Sequence, residues 1–240
     1  MSLPPRERPF DDGLWPARGR AASPIVLIAV TLNLAASVGM ATFLAPATGA
    51  GGPDAARLAF IMEHLVAVRV GWFLWEAATL SLVATFVTVS RSLEGERTAG
   101  LRILAVAAVA LGAIPDSMNN LINAAILPDI AHAWSGAPEA ARAAMELDFH
   151  LWDRAAVILT GTLANALYAT GGWLILAASY RVPAYPRWLR LVQFPLWTAT
   201  SLMAIAAAAD SLRGLIATVA VTMIFFVLWG YGTAWKWLDP

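Results

Sequence analysis

Residues 24–44, PIVLIAVTLNLAASVGMATFL, carry no charged side chain between the proline that opens them and the Ala45-Pro46 pair that follows. As an α-helix rising about 1.5 Å per residue, this stretch reaches about 30 Å, the thickness of a bilayer's hydrocarbon core. Ala45-Pro46-Ala47 has the small residues of a signal-peptidase site. The apolar run is nevertheless longer than the roughly 7–15 residues of a secretory core, so it reads as a retained membrane span. Upstream, residues 1–23 mix Pro4, Pro5, Pro9 and Pro16 with Arg6, Arg8, Arg18 and Arg20, the composition of a disordered cytoplasmic tail.

Downstream the pattern repeats. Apolar stretches lie within 57–90, 100–127 and 149–179, and at about 188–208 and 213–235, each bounded by charge, Gly or Pro. The expected fold is therefore all-α: a polytopic membrane helical bundle of six transmembrane helices, a single domain over 24–240 behind the 1–23 tail. Spans two and four exceed the roughly 20 residues a crossing needs, so they tilt or project beyond the bilayer. Residues 129–148 are too polar to cross. Their Ala-rich part with Glu139 and Arg142 predicts a short outer interfacial helix around 137–147 that can run into the fourth span.

Composition agrees with lipid as the solvent. The chain is 59% hydrophobic and 13% charged, against roughly 25% charged in a soluble domain, too little to cover a water-exposed surface. The 16 basic and 16 acidic residues cancel, which leaves no footprint for nucleic acid. The absence of cysteine excludes disulfides and iron–sulfur ligation, and three histidines leave little for haem or zinc. Lys236 is the only lysine, so no lysine lies within a span to form a Schiff base. No phosphate-binding loop, HExxH or GxSxG occurs. No metal or cofactor is expected. The expected partners are the lipid bilayer and a small solute or proton, and a homo-oligomer is compatible with this composition.

Orientation follows from the basic residues, which favour the cytoplasmic side. The tail arginines, Arg91, Arg97, Arg102, Arg181, Arg187, Arg190 and Lys236 fall on one side of the six spans. Only Arg57, Arg142 and Arg213 fall on the other, beside Asp54, Asp129, Glu139, Glu146, Asp148 and Asp210. Both termini are therefore expected inside. Trp15, Trp188, Trp197, Trp235 and Trp237 stand near span boundaries, where indoles anchor at the interface.

Polar residues inside spans are costly, about 2.5–3.5 kcal/mol each for charged ones, and normally face the bundle interior. Here they concentrate in spans two, three and four. Arg69, Trp72 and Glu76 follow i, i+3, i+7 and share a helix face; Asp116, Asn119, Asn120 and Asn123 form a polar stripe at i, i+3, i+4, i+7. Pro115 can free a carbonyl beside Asp116. In span four, Arg154, Gly161, Asn165 and Tyr168 share a face, with His150 one turn before Arg154 and Asp153 beside it. Depth places Glu76, Asp116 and Asn165 near the middle as the floor of a cleft open to the outside, with Asn33 able to join them. Arg69 is expected to face Asp116 or Glu76. Counting Glu63, Glu76, Asp116 and Asp153 against Arg69 and Arg154 leaves acid in excess, and Glu76 or Asp116 is the member expected to hold a proton.

Three readings fit this cluster: a binding cleft or pathway for a small solute or proton, an intramembrane enzyme on a lipid or isoprenoid with Glu76 and Asp116 as acid and base, or a structural or regulatory subunit whose polar groups only fix helix packing. His64 and His150, at the outer ends of spans two and four, read as interfacial histidines that can approach each other, and Gln193 as a solvated residue near the inner end. Spans two and four share a loose pattern, His then Arg, that does not amount to the internal symmetry of many transporters.

Trp152-Asp153-Arg154 before an Ala/Gly-rich span, Tyr180-Arg181-Val182-Pro183, Pro186-Arg187-Trp188-Leu189, and Leu228-Trp229 followed by Gly230 and Gly232 give the chain a resemblance to a family of uncharacterised bacterial six-helix membrane proteins, a domain of unknown function. The resemblance covers about a third of the chain, and the stripe from Asp116 to Asn123 departs from it. It implies a six-helix bundle in a bacterial inner membrane and carries no activity to transfer.

Overall fold

The structure, a computed structural model, describes residues 22–238. The expected disordered tail lies outside the described residues up to position 21, as does Trp15; positions 22 and 23 already belong to the first helix. Among the described residues all regular structure is helical.

Nine α-helices follow in order: α1 Ala22–Gly39, α2 Asp54–Glu63, α3 Leu65–Ser92, α4 Ala99–Leu121, α5 Leu127–Gly136, α6 Glu139–Val157, α7 Asn165–Ser179, α8 Arg187–Ala208 and α9 Leu212–Thr233. Widened π-type turns extend or join several of them. Met40–Leu44 extends α1, Ile122–Ile126 joins α4 to α5, Ile158–Ala164 joins α6 to α7, and Ala234–Leu238 extends α9. Among the described residues, five segments are long and apolar enough to cross a membrane: 22–47, 65–92, 96–136, 187–208 and 212–238. The α6–α7 segment is as long but falls outside this set, because Thr160, Thr162, Asn165, Tyr168 and several glycines dilute its apolar character. The chain is thus an α-helical, multi-pass membrane protein in contact with lipid. Side chains such as Val66, Phe73, Leu111, Ile114, Ile216 and Ile224 are exposed on its flanks, where only a hydrocarbon solvent is compatible with them.

Local sequence sets the breaks. Prolines cannot donate a backbone N–H and suit helix starts; Pro53, Pro138 and Pro186 stand immediately before α2, α6 and α8. Ser211 caps α9 by accepting a hydrogen bond from the Gly214 N–H at 3.2 Å. The turn before it places Asp210 at φ 55. The expected second span is interrupted at His64, so α2 is a separate short helix. The third helix continues through α5 to Gly136 rather than ending at 127. The expected interfacial helix at 137–147 is the start of α6, continuous with the fourth long segment.

The long helices pack side by side in a closed ring, α1–α3–α4–α7–α8–α9 and back to α1. Small residues permit the close approaches, as in membrane helix packing generally. A Cβ at Gly172 would stand 2.1 Å from the Trp197 ring, and one at Gly230 would stand 2.2 Å from Val30. At one end the connections carry arginine. There Arg181 donates to the Arg97 carbonyl, the Trp237 indole donates to Ser92 Oγ at 2.7 Å, and Tyr185 packs on Trp237 at 5.1 Å. Trp197 and Trp237 are buried in this half, not placed at an interface, whereas Trp188 and Trp235 are exposed. Gln193 is likewise fully buried: it contacts Tyr185 Oη, and its Oε1 accepts from the Trp197 indole, so the expectation that it is solvated is wrong. At the other end α2, α5 and the start of α6 fold over the ring.

Candidate functional site

The ring encloses a cavity of about 730 Å³, and its walls differ in character. Asp116 and Asn119 of α4, Asn123 of the π-type turn that follows it, Thr79 of α3, and Thr160, Asn165 and Tyr168 of the fourth segment make a polar side. Leu196 and Met203 of α8 with Leu215, Val219, Met223 and Phe226 of α9 make a mostly apolar side, interrupted by the hydroxyls of Thr200 and Thr222. Trp72, Trp75 and Trp197 add indole surface.

The polar wall is built around Asp116. Its carboxyl group accepts from Thr79 Oγ1 at 2.9 Å, from Tyr168 Oη at 2.9 Å and from Thr160 Oγ1. All three donors are neutral hydroxyls, and Asp116 is only 5% exposed. Their convergence depends on helix geometry. Pro115 interrupts the α4 ladder just before Asp116. The π-type turn at 158–164 displaces Thr160 and Gly161 toward the cavity, a kind of local widening frequent at functional sites. Asn165 completes that turn by donating from Nδ2 to the carbonyls of Thr160 at 2.9 Å and Gly161 at 3.2 Å. Its amide thus adds a second donor to the Thr160 carbonyl, which already accepts the Asn165 backbone N–H, and serves the Gly161 carbonyl as well. The stripe residues Asn119, Asn120 and Asn123 are all buried, and Asn123 donates to the Asn119 carbonyl at 2.9 Å.

Glu76 occupies a different place. It accepts from Ser117 Oγ at 2.7 Å and from Asn120 Nδ2 at 2.8 Å, in the seam between α3 and α4, and it is not among the residues lining the cavity. Neighbours on both helices, Phe73, Leu80, Ile114 and Met118, are exposed toward lipid. Asn120 also donates to Thr79 Oγ1 at 3.3 Å, so one network of neutral donors touches both carboxyls. The two acids do not share one chamber, which corrects the expectation of a common floor.

Arg69 is corrected too. It pairs with Asp129 at 2.9 Å in an exposed bridge, not with Asp116 or Glu76. Its position nearly two helical turns before Glu76 carries it to the end of the bundle, where the α5 carboxylate waits.

The mouth of the cavity lies at the same end. Arg57, read from the sequence only as one of the outer-side basic residues, is 3% exposed and is its centre. It bridges Asp54 at 3.0 Å and Asp153, donates to the Ala47 carbonyl at 3.3 Å, and lies over the Phe149 ring at 4.7 Å. Arg57 stands three residues after Asp54, the spacing of a helix ion pair, and that was the one local signal of its role. His150 adds a contact to Asp54 at 3.2 Å, and Arg154 pairs with Asp210 at 2.7 Å. His64 instead stacks on Phe60 at 4.4 Å, apart from His150 in its contacts. No grouping of three or more metal-binding side chains occurs among the described residues.

The opposite end is closed. Trp197 and Phe226 form the cavity's aromatic floor, and Phe86 and Trp229 lie behind them, with ring centroids 5.6–6.1 Å apart. The Tyr185 phenol, further along and donated to by the Trp229 indole at 3.2 Å, is pushed up to about 12 by its burial.

Fold and site define an integral membrane helical bundle with an amphiphilic central chamber, ion-paired at one end and aromatic at the other. Comparison with protein-family models, with curated proteins and with solved structures gives no match. None of these comparisons bears on the resemblance to an uncharacterised bacterial family.

Proposed function

We propose that this protein is a six-span bundle of a bacterial inner membrane, with both termini in the cytoplasm, that binds a small solute in its central cavity from the outer side. The passage of that solute, or of a proton, is the activity this arrangement serves. The observation that carries the reading is the chamber itself. It is about 730 Å³, within the size of ordinary small-molecule sites, and has a few convergent polar groups on one wall. Hydrogen-bonding glue between helices needs no cavity of this size, whereas here the side chains of the ring leave one between them. The sixth span in this reading is the α6–α7 segment, which runs from the ion-paired end to the arginine-rich end as an alternating path requires. The basic residues at the closed end support a cytoplasmic location for it.

Acid–base catalysis on a lipid draws less support, because Glu76 and Asp116 face different surroundings and cannot flank one substrate without rearrangement.

The test uses the cysteine-free chain. Single cysteines at Asn123, Thr160 and Phe86 are exposed to a membrane-impermeant thiol reagent in right-side-out vesicles. Reaction at 123 and 160, but not at 86, is the expected result. Reaction at 86 alone, or at 123 and 160 only from the cytoplasmic side, would overturn the reading.

A further inference from the structure

The cavity contains one ionisable acid without a matching cation. Each arginine found in a salt bridge is at the mouth end and is engaged there: Arg57 with Asp54 and Asp153, Arg69 with Asp129, Arg154 with Asp210. Asp116 is held only by hydroxyls, and no ion pair reaches it among the described residues. In its ionised form a carboxylate at such a site is stabilised by a cation brought to it, which takes the place of the proton the group otherwise holds, since neutral donors supply dipoles and no net charge.

Three further features narrow the cation. The α8–α9 wall is mostly apolar, with Leu196, Met203, Leu215, Val219, Met223 and Phe226 beside the hydroxyls of Thr200 and Thr222, so the bound molecule has a hydrocarbon or aromatic body. Trp72 and Trp75 line the cavity, and indoles favour organic cations. The mouth carries Asp54, Asp153 and Asp210 against Arg57, Arg154 and the His150 side chain, so with Asp116 the chamber holds more acid than fixed base. Such a surface rejects anions.

We infer that the cavity takes an amphiphilic organic monocation, with an ammonium-type head at Asp116 and an apolar body against α8 and α9. This inference rests on the proposed binding role and adds the ligand's chemistry to it. A bare inorganic cation would use the oxygen donors around Asp116 but would leave the apolar wall without a purpose.

Three probes share one skeleton and differ in charge: 4-phenylbutylamine, 4-phenylbutan-1-ol and 4-phenylbutyrate. Each is titrated into the full-length protein in nanodiscs of zwitterionic lipid, with empty nanodiscs subtracted and binding read by calorimetry. The amine is expected to bind roughly tenfold or more tighter than the alcohol, a difference of about 1.4 kcal/mol, and the carboxylate more weakly than both. Asp116→Asn should bring the amine down to the level of the alcohol while the alcohol is unaffected. Should that variant not fold, Val219→Trp, which fills the apolar wall, should weaken amine and alcohol alike while the wild-type preference stands. Equal binding of amine and alcohol to the wild type would overturn the cation assignment and leave a binding cavity in place. Sodium chloride giving an Asp116-dependent heat, with no amine preference, would overturn it in favour of an inorganic ion. Binding of none of the three probes would overturn the cation assignment, and cysteine labelling then decides separately whether the cavity is open.

Discussion

Replacing Arg57 by methionine removes the one buried cation at the cavity mouth while keeping most of its volume. The guanidinium is 3% exposed and serves two carboxylates and a carbonyl, whereas Asp54 and Asp153 keep 24% and 17% of their side-chain surface. Removing one partner of a fully buried ion pair costs about 3–5 kcal/mol, because the remaining charge is left unpaired. Partial hydration of both aspartates lowers that to about 2–4 kcal/mol. Arg69→Met removes a bridge whose members are 41% and 75% exposed, which costs at most about 1 kcal/mol. Both variants are compared with the wild type by reversible unfolding in mixed micelles with increasing dodecyl sulfate. Arg57→Met should lower the midpoint clearly and Arg69→Met should barely move it. A double-mutant cycle with Asp153→Asn should show coupling for Arg57 and none for Arg69. Equal effects of the two arginine variants, or no coupling between Arg57 and Asp153, would refute the assignment of Arg57 as the centre of the mouth.

Gly172→Ala should destabilise by about 1–3 kcal/mol, because its Cβ meets the rigid Trp197 indole, while Gly100→Ala, with open space around it, should be neutral or stabilising by up to about 1 kcal/mol; the same unfolding assay compares them. Asn165→Ala should cost about 0.5–1.5 kcal/mol by removing the side-chain donor to the Thr160 and Gly161 carbonyls of the 158–164 turn, and amide hydrogen exchange should speed up there first. The Tyr185 phenol is neutral in the fold and, with its value raised to about 12, its contribution to stability is complete below the ordinary phenol value near 10 and is lost as pH rises from there through 12; the difference in absorbance at 295 nm between wild type and Tyr185→Phe should show that late ionisation. Single cysteines within 129–148 should label from outside and within 91–99 from inside, the pattern set by the arginines.

The apolar runs, their prolines and the distribution of arginine were enough to read a helical membrane bundle, since each depends on neighbouring residues and on lipid as solvent. The stripe from Asp116 to Asn123 was legible for the same reason: its spacing puts four polar groups on one side of a helix wherever that helix packs. What was not legible depends on partners distant in sequence. Gln193 resembles a polar residue near a span end until Tyr185 and Trp197 surround it. Arg57 stands at the edge of an apolar stretch, and Asp153, 96 positions away, together with Phe149 completes its burial as a paired cation. Glu76 and Asp116 lie at similar depths, yet they diverge because the α3–α4 seam turns one toward lipid-facing neighbours and the other inward. The π-type turns also escaped sequence reading, since a widened turn follows from packing and from Asn165 rather than from a breaker residue.

The most direct test of the central claim is an experimental density map of the protein in lipid nanodiscs at a resolution that shows side chains. The expected result is an open chamber between Asp116 and the α8–α9 wall, containing water or a bound molecule, with Phe86, Trp197 and Trp229 closing its inner end. A ring collapsed so that Met203 and Met223 pack directly on Asp116 and Tyr168, with no space between, would contradict it.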